Sequence, residues 1–249
     1  MISRAPLSCL LSDAQPPSAV HPDISAWPSS AFYNSALVAS PCVLARPRQA
    51  FYDTPPLHSF CFFDASGGRA AQAPASTSLL NTREAEAAAA LYLRLAGAVA
   101  SPSSHGGGGG GASSATAADA LASRVAVLTP YRGQVAEIAR VFRSVCGAEA
   151  AAALAARGGI TTVDGAQGSE RDIIILSLVR THSHNGDAAA AANSAAGGFV
   201  DDPQRCCVGL TRARHACWVI GSAAALGGST HWGPLIAHAK ATGRFFAAP

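Results

Sequence analysis

At 249 residues the chain is long enough to bury a full core, as one large domain or two small ones. Its formal net charge of +3 neither demands nor excludes a polyanionic partner. Lys240 is its single lysine, and with the excess of alanine and glycine this reads as coding bias, so the arginines by themselves say nothing about nucleic acid. No apolar run approaches the length of a membrane span, and the opening MISRAPLSCLLSDAQPP lacks the core and cleavage site of a signal peptide. The seven cysteines include no C-x-x-C spacing and no histidine pair at zinc-finger spacing. That pattern points to reduced thiols in the cytoplasm or nucleus and away from a disulfide framework or a metal site.

In chain order, residues 1–20 have no period and stay unassigned. HPDISAWPSSAFYNSALVAS (His21 to Ser40) carries Ile24, Trp27, Phe32, Tyr33 and Leu37 at helical spacing, and Pro28 in its middle predicts a helix–turn–helix piece. Pro41 to Pro56 is a proline-rich connection, and SFCFFDAS predicts a short strand before Gly67-Gly68. Asn81 or Thr82 caps an alanine-rich helix to about Val99, with Glu84 and Glu86 at its positive end. Residues 101–118, which include six consecutive glycines, read as a disordered insertion. Arg124 to Leu128 predicts a buried strand, Thr129-Pro130-Tyr131 a tight turn, and Gln134 to Val145 a helix burying Val135, Ile138, Val141, Phe142 and Val145. Ala148 to Gly158 carries little information.

Gly159 to Arg180 is the most informative stretch. Two β-branched runs, Ile160 to Val163 and Ile173 to Val179, flank a polar loop with Gly165, Gln167, Gly168 and Glu170. The second run hardly alternates, as expected of a strand covered on both faces of a parallel sheet. Two readings stand side by side: a hairpin, since Asp-Gly is a standard turn signal, or a ligand loop at the end of a sheet strand. A second insertion covers residues 183–199, and His182 and His184 read as solvated. DDPQRCCVGLTRAR (Asp201 to Arg214) suits a short helix with Pro203 in its first turn. HACWVIGS predicts a strand, and Thr230 to Gly243 a last helix with Trp232, Leu235 and Ile236. Alternating strands and helices predict an α/β fold with a parallel sheet flanked by helices.

Such a sheet suggests nucleotide binding, yet the 249 residues contain no G-x-x-x-x-G-K-[ST] phosphate loop, and Ala239 and Ala241 flank the only lysine. Three segments in order nevertheless fit half of an ATP site: LTPYRGQV, VDGAQGSERDIIILSLVR and VGLTRARHACWVIG. They resemble the C-terminal RecA-like domain of superfamily 1 helicases, in the nonsense-mediated-decay and senataxin branch. HPDISAWPSSAFY is similar to that family's HP-x-IS-x-FPS-x-x-FY segment, FFDASGG with NTREAEAA to its next strand and helix, and Thr230 to Gly243 to its terminal helix. The resemblance covers about His21 to Phe246, so residues 21–249 are read as this domain, a RecA-like sheet interrupted by the two insertions.

The resemblance implies roles. Arg212 matches the arginine that reaches the ATP γ-phosphate, and a permanently charged, forked guanidinium suits that task. Gln167, Gly168 and Glu170 match a loop that closes on the nucleotide, Glu170 toward its sugar; pairing with Arg171 or Arg205 is the alternative for that carboxylate. Thr129, Pro130 and Tyr131, with Thr162, resemble a track for the nucleic-acid backbone, where Tyr131 serves equally as core packing. Arg214 is read as supporting. Two departures stand out: the family's Gln-Tyr-Arg-Met falls on Pro17, Ser18, Ala19 and Val20, and an expected asparagine is Cys207. ATP and Mg2+ are expected to be held mainly by a first RecA-like domain in cis or trans, with its phosphate-loop lysine and metal-binding carboxylates, and the polymer partner is single-stranded RNA or DNA. The competing reading is a non-catalytic nucleic-acid-binding or regulatory module that keeps the fold without the chemistry.

Overall fold

The structure, a computed structural model, describes residues 17–18, 20–74, 76–100, 114–181 and 200–249. Ala19, the hexaglycine run, His182 and His184 lie outside them. Six parallel strands form the sheet: β1 (Phe60–Asp64), β2 (Val125–Thr129), β3 (Ile160–Thr162), β4 (Arg171–Ser177), β5 (Ala213–Gly221) and β6 (Phe245–Ala247), in the order β6-β1-β5-β4-β2-β3. The helices are α1 (Pro22–Phe32), α2 (Thr82–Ala100), α3 (Ser114–Arg124), α4 (Arg132–Val145), α5 (Ala148–Ala156), α6 (Pro203–Thr211) and α7 (Trp232–Ala241), with shorter pieces between them. The expected α/β class is what the structure shows.

The continuous apolar strands are explained by what each face meets. Along β4, Ile173 and Ile175 enter one core, and Ile174 and Leu176 enter the other. The first core is closed by α2, α3, α4 and α5, through residues such as Leu91, Leu121, Phe142 and Leu154. The second is closed by α1, α6 and α7, through Ile24, Trp27, Leu210 and Leu235. A strand buried on both sides has no polar face to alternate with, so its sequence does not alternate.

Several expectations are corrected. α1 runs through Pro28 as one helix. Ile24, Trp27 and Pro28 are buried in its face toward the sheet and α6, and that packing outweighs the local penalty of an internal proline. The segment Ser114 to Ala118, read as part of an insertion, begins α3, which ends at Arg124 so that β2 starts at Val125. The alanine tract is a helix, α5. On α4 the buried face includes Gln134 and Glu137, while Val145 is 47% exposed. β6 was not expected at all: Phe245 and Phe246 add it beside β1.

β2 lies between β3 and β4 and pairs with both. The two β-branched runs are therefore not a hairpin. Thr162 ends β3 level with Thr129, at the carboxyl end of the sheet, and the chain must return to the amino end to enter β4 at Arg171. The intervening loop makes that return across a sheet face, with Val163 and Ala166 buried in the second core.

Candidate nucleotide and nucleic-acid edges

At the amino end of the sheet, β4 and β5 enter side by side, with Arg171 in register with Ala213 and its N–H donating to the Arg212 carbonyl at 3.1 Å. This pairing sets the end of the polar loop beside the α6–β5 junction. α6 reaches it because Asp202 caps its start, accepting from the Arg205 N–H at 2.9 Å, with Pro203 in the first turn. Arg212 is the residue at which helix gives way to strand.

Among the described residues no carboxylate pairs with Arg212, and its Nε is buried without a hydrogen-bond partner. Its neighbours Tyr33 and Cys207 touch each other at 3.5 Å, oxygen to sulfur. The Tyr33 hydroxyl is pushed up to about 12 by that contact and by burial, with Arg212 pulling the other way. Thus α1, carrying Tyr33 just beyond its end, and α6, carrying Cys207, wall the arginine. Glu170 binds neither Arg171 nor Arg205 through its carboxylate: its Oε2 accepts from Arg214 Nε at 3.0 Å, while Arg205 holds Asp164. Both partners of the Glu170–Arg214 pair are well exposed, so the pair is worth about 0–1 kcal/mol and is readily exchanged for a ligand contact. Gln167 and Gly168 are exposed in the loop leading into it, and Gly168 takes φ +82°, a region that a side chain at that position would strain.

The other four predicted residues gather at the opposite end. Thr129 is fully buried; its hydroxyl accepts from the Tyr131 N–H at 3.4 Å and so shapes the turn from inside. Thr162 is half-buried and accepts from the Gly165 N–H at 3.1 Å. Gly165 sits so close that an added Cβ would lie 2.6 Å from Thr161 Oγ1. Tyr131 packs against the second core, and its hydroxyl accepts from Arg180 Nε at 3.0 Å. Pro130 is half-buried beside it. The predicted residues thus form two groups, one at each end of the sheet, joined by the loop from Thr162 to Arg171.

Sequence reasoning missed a buried polar network at the carboxyl end. Glu84 Oε2 accepts from the Ser177 hydroxyl at 2.7 Å and the Val179 N–H at 2.8 Å, and Oε1 accepts from Asn81 Nδ2 at 3.2 Å. Gln134 bridges the set, accepting from the Asn81 N–H at 2.7 Å and donating to Ser177 Oγ and to the Asn81 carbonyl, each at 3.0 Å. Asn81, Glu84, Gln134 and Ser177 are all fully buried. Val179 takes φ +69°, an outlier for a β-branched residue, and its N–H is held there by Glu84. The available signal was the Asn81-x-x-Glu84 spacing of a capping box. Asn81 does cap α2, with Oδ1 accepting from the Glu84 N–H at 3.3 Å, but the glutamate turns to β4 instead of back to its own cap.

A family profile described as an AAA domain matches residues 19–224. The chain belongs to the superfamily 1 helicases of the nonsense-mediated-decay and senataxin branch. It is 32% identical over 228 residues to the probable helicase MAGATAMA 3 of Arabidopsis thaliana, covering 91% of this chain and 24% of that protein. It is 30% identical to helicase sen1 of Schizosaccharomyces pombe, covering 87% of this chain and 11% of that protein. With the putative regulator of nonsense transcripts 1 of Takifugu rubripes it shares 29% identity, over 89% of this chain and 17% of that protein. The chain therefore spans a quarter or less of the length of these relatives. Its helix-flanked parallel sheet is RecA-like. Among the described residues no helix is long and apolar enough to cross a membrane.

Proposed function

We propose that this helicase domain supplies one half of an ATP site and part of a single-strand track in a cytoplasmic or nuclear motor acting on RNA or DNA. The observation that carries the reading is the loop from Thr162 to Arg171: it starts beside Thr129 and ends beside Arg212, so one segment, anchored by Val163 and Ala166, touches both ends of the sheet. Closure on ATP at the amino edge would then be felt at the strand edge.

Arg212 fits a phosphate ligand, since it is a fixed positive charge with no carboxylate among the described residues to neutralise it. Reaching the γ-phosphate, it would stabilise charge that grows on the transferring group. Glu170 would exchange Arg214 for sugar hydroxyls. The described residues contain no cluster of acids suited to Mg2+. By likeness to the helicase family, the metal and the triphosphate cradle would be held mainly by a first RecA-like domain, in cis or trans. At the other edge, Tyr131 and Pro130, shaped by Thr129 and Thr162, would contact the strand backbone without reading sequence.

ATP hydrolysis by the 249-residue chain, alone and joined to a first RecA-like domain of this branch, tests the proposal. The expected result is no turnover alone and strand-stimulated turnover when joined. Robust hydrolysis by the chain alone overturns the half-site. Failure of the joined protein overturns the motor reading in favour of a non-catalytic binding module.

A further inference from the structure

A second feature of the amino edge uses none of the proposed nucleotide residues. Where α1, β1, β5 and β6 begin, a cleft of about 390 Å³ opens, lined among others by His21, Arg46, Arg48, His58, His215 and Arg244. Among the described residues Asp23 is the one carboxylate in its wall, and it is engaged by the Ser59 hydroxyl. Arg48 is tied to the exposed Asp53 at 2.6 Å, but no carboxylate among the described residues pairs with Arg244. The described lining residues therefore carry more positive than negative charge.

Burial is the main cause that holds His21, His58 and His215 below the ordinary histidine value. Arg46 adds to it at His21 and His215, and Arg244 and Arg48 add to it at His58; Asp23 opposes at His21 and His58, and Asp172 at His215. Neutral imidazoles still offer N–H donors. The walls are also fixed in place. Tyr52 donates to the His215 carbonyl at 2.7 Å with Arg48 over its ring at 5.9 Å, His58 stacks on Phe246 at 6.2 Å, and Arg46 donates to the Arg214 carbonyl at 3.3 Å.

We propose that this cleft is an anion site for a phosphoryl group carried by a nucleotide or a polynucleotide strand. Forked guanidinium donors beside imidazole N–H groups match phosphate oxygens, and excess positive charge repels cations. The volume lies at the low end of ligand pockets, room for one nucleotide-sized group and not for a folded segment. The Arg46–Arg214 contact joins the cleft to the backbone of the Arg212 edge, yet the two sites share no lining residue.

Titration of the 249-residue chain with inorganic phosphate, ADP and a short single-stranded RNA, followed through its imidazole proton resonances, tests this. Saturable shifts of His21, His58 and His215 are expected, with His231 and His238 still as controls. Arg244→Gln and Arg46→Gln should each weaken binding about tenfold. Tighter binding of ADP or of RNA than of phosphate identifies the carrier. Response to phosphate alone overturns the nucleotide or polynucleotide assignment. No saturable shift with any probe, or shifts that persist in the double variant, overturn the site. Arg212→Ala should leave these shifts unchanged, which separates failure here from failure of the ATP proposal.

Discussion

Replacing Arg212 by alanine in the joined motor lowers ATP turnover by about three to five powers of ten, the range for loss of an arginine finger, while single-strand binding stays largely intact. The asymmetry follows from position. Arg212 stands at the amino end of β5, whereas the strand residues stand at the carboxyl ends of β2 and β3. Arg212→Lys should recover little, because an ammonium lacks the planar fork and the reach. Arg214→Ala is expected to be mild, since it removes an exposed partner of Glu170 and nothing else that is buried. Steady-state hydrolysis read beside strand affinity distinguishes these outcomes, and turnover that survives Arg212→Ala removes the residue from the chemistry.

Glu84→Ala is expected to cost about 4 kcal/mol of stability, because the Ser177 hydroxyl, the Val179 N–H and the Asn81 amide all lose a buried acceptor. Denaturant unfolding measures it. The same carboxyl gives a pH signature. Burial pushes it up to about 7, with the Val179 and Ser177 hydrogen bonds pulling back. A folded value above the unfolded one means that the contribution is fully present below about 4.5 and is lost as pH rises through about 7. The half-buried His21, His58 and His215 change with the opposite sign, so the useful quantity is the difference between the natural chain and Glu84→Gln. That difference should move against the natural chain by about 3 kcal/mol between pH 4.5 and 8. A constant difference would mean that the Glu84 carboxyl has the same pKa in the folded and unfolded chain. The network also places Arg180 beside Tyr131, so loosening it should weaken strand contacts more than nucleotide contacts.

The sheet was legible because Ile173 to Val179 and Arg124 to Leu128 are too apolar to face water on either side. The two groups of candidate site residues were legible as residue types; the loop joining them, taken alone, read equally well as a hairpin, its place between TPY and LTRAR favoured a ligand loop, and β2 between its flanking strands excludes the hairpin. What escaped has a common physical cause: single-residue chemistry misleads where tertiary partners decide. Glu84 looks like a first-turn acid drawn to the helix dipole, and Gln134 like a surface position, yet each is buried because Asn81 and Ser177, which both of them bond, satisfy it. Pro28 looks like a helix break, but a buried face holds the helix together. β6 is a three-residue strand whose signal, two phenylalanines, carries no period. Thr129, expected on the strand track, also supports its turn from within, a role that its residue type does not announce.

The central claim is that nucleotide and strand sit at opposite ends of one sheet and are linked by the loop from Thr162 to Arg171. Photo-crosslinking measures this directly in the joined motor, with an azido-adenine nucleotide and a thiouridine-bearing strand bound together and the adducts mapped by peptide. The account predicts nucleotide adducts in residues 167–171 or 212–214, and strand adducts at residues 130–132. Strand adducts beside Arg212, or nucleotide adducts beside Tyr131, would contradict it.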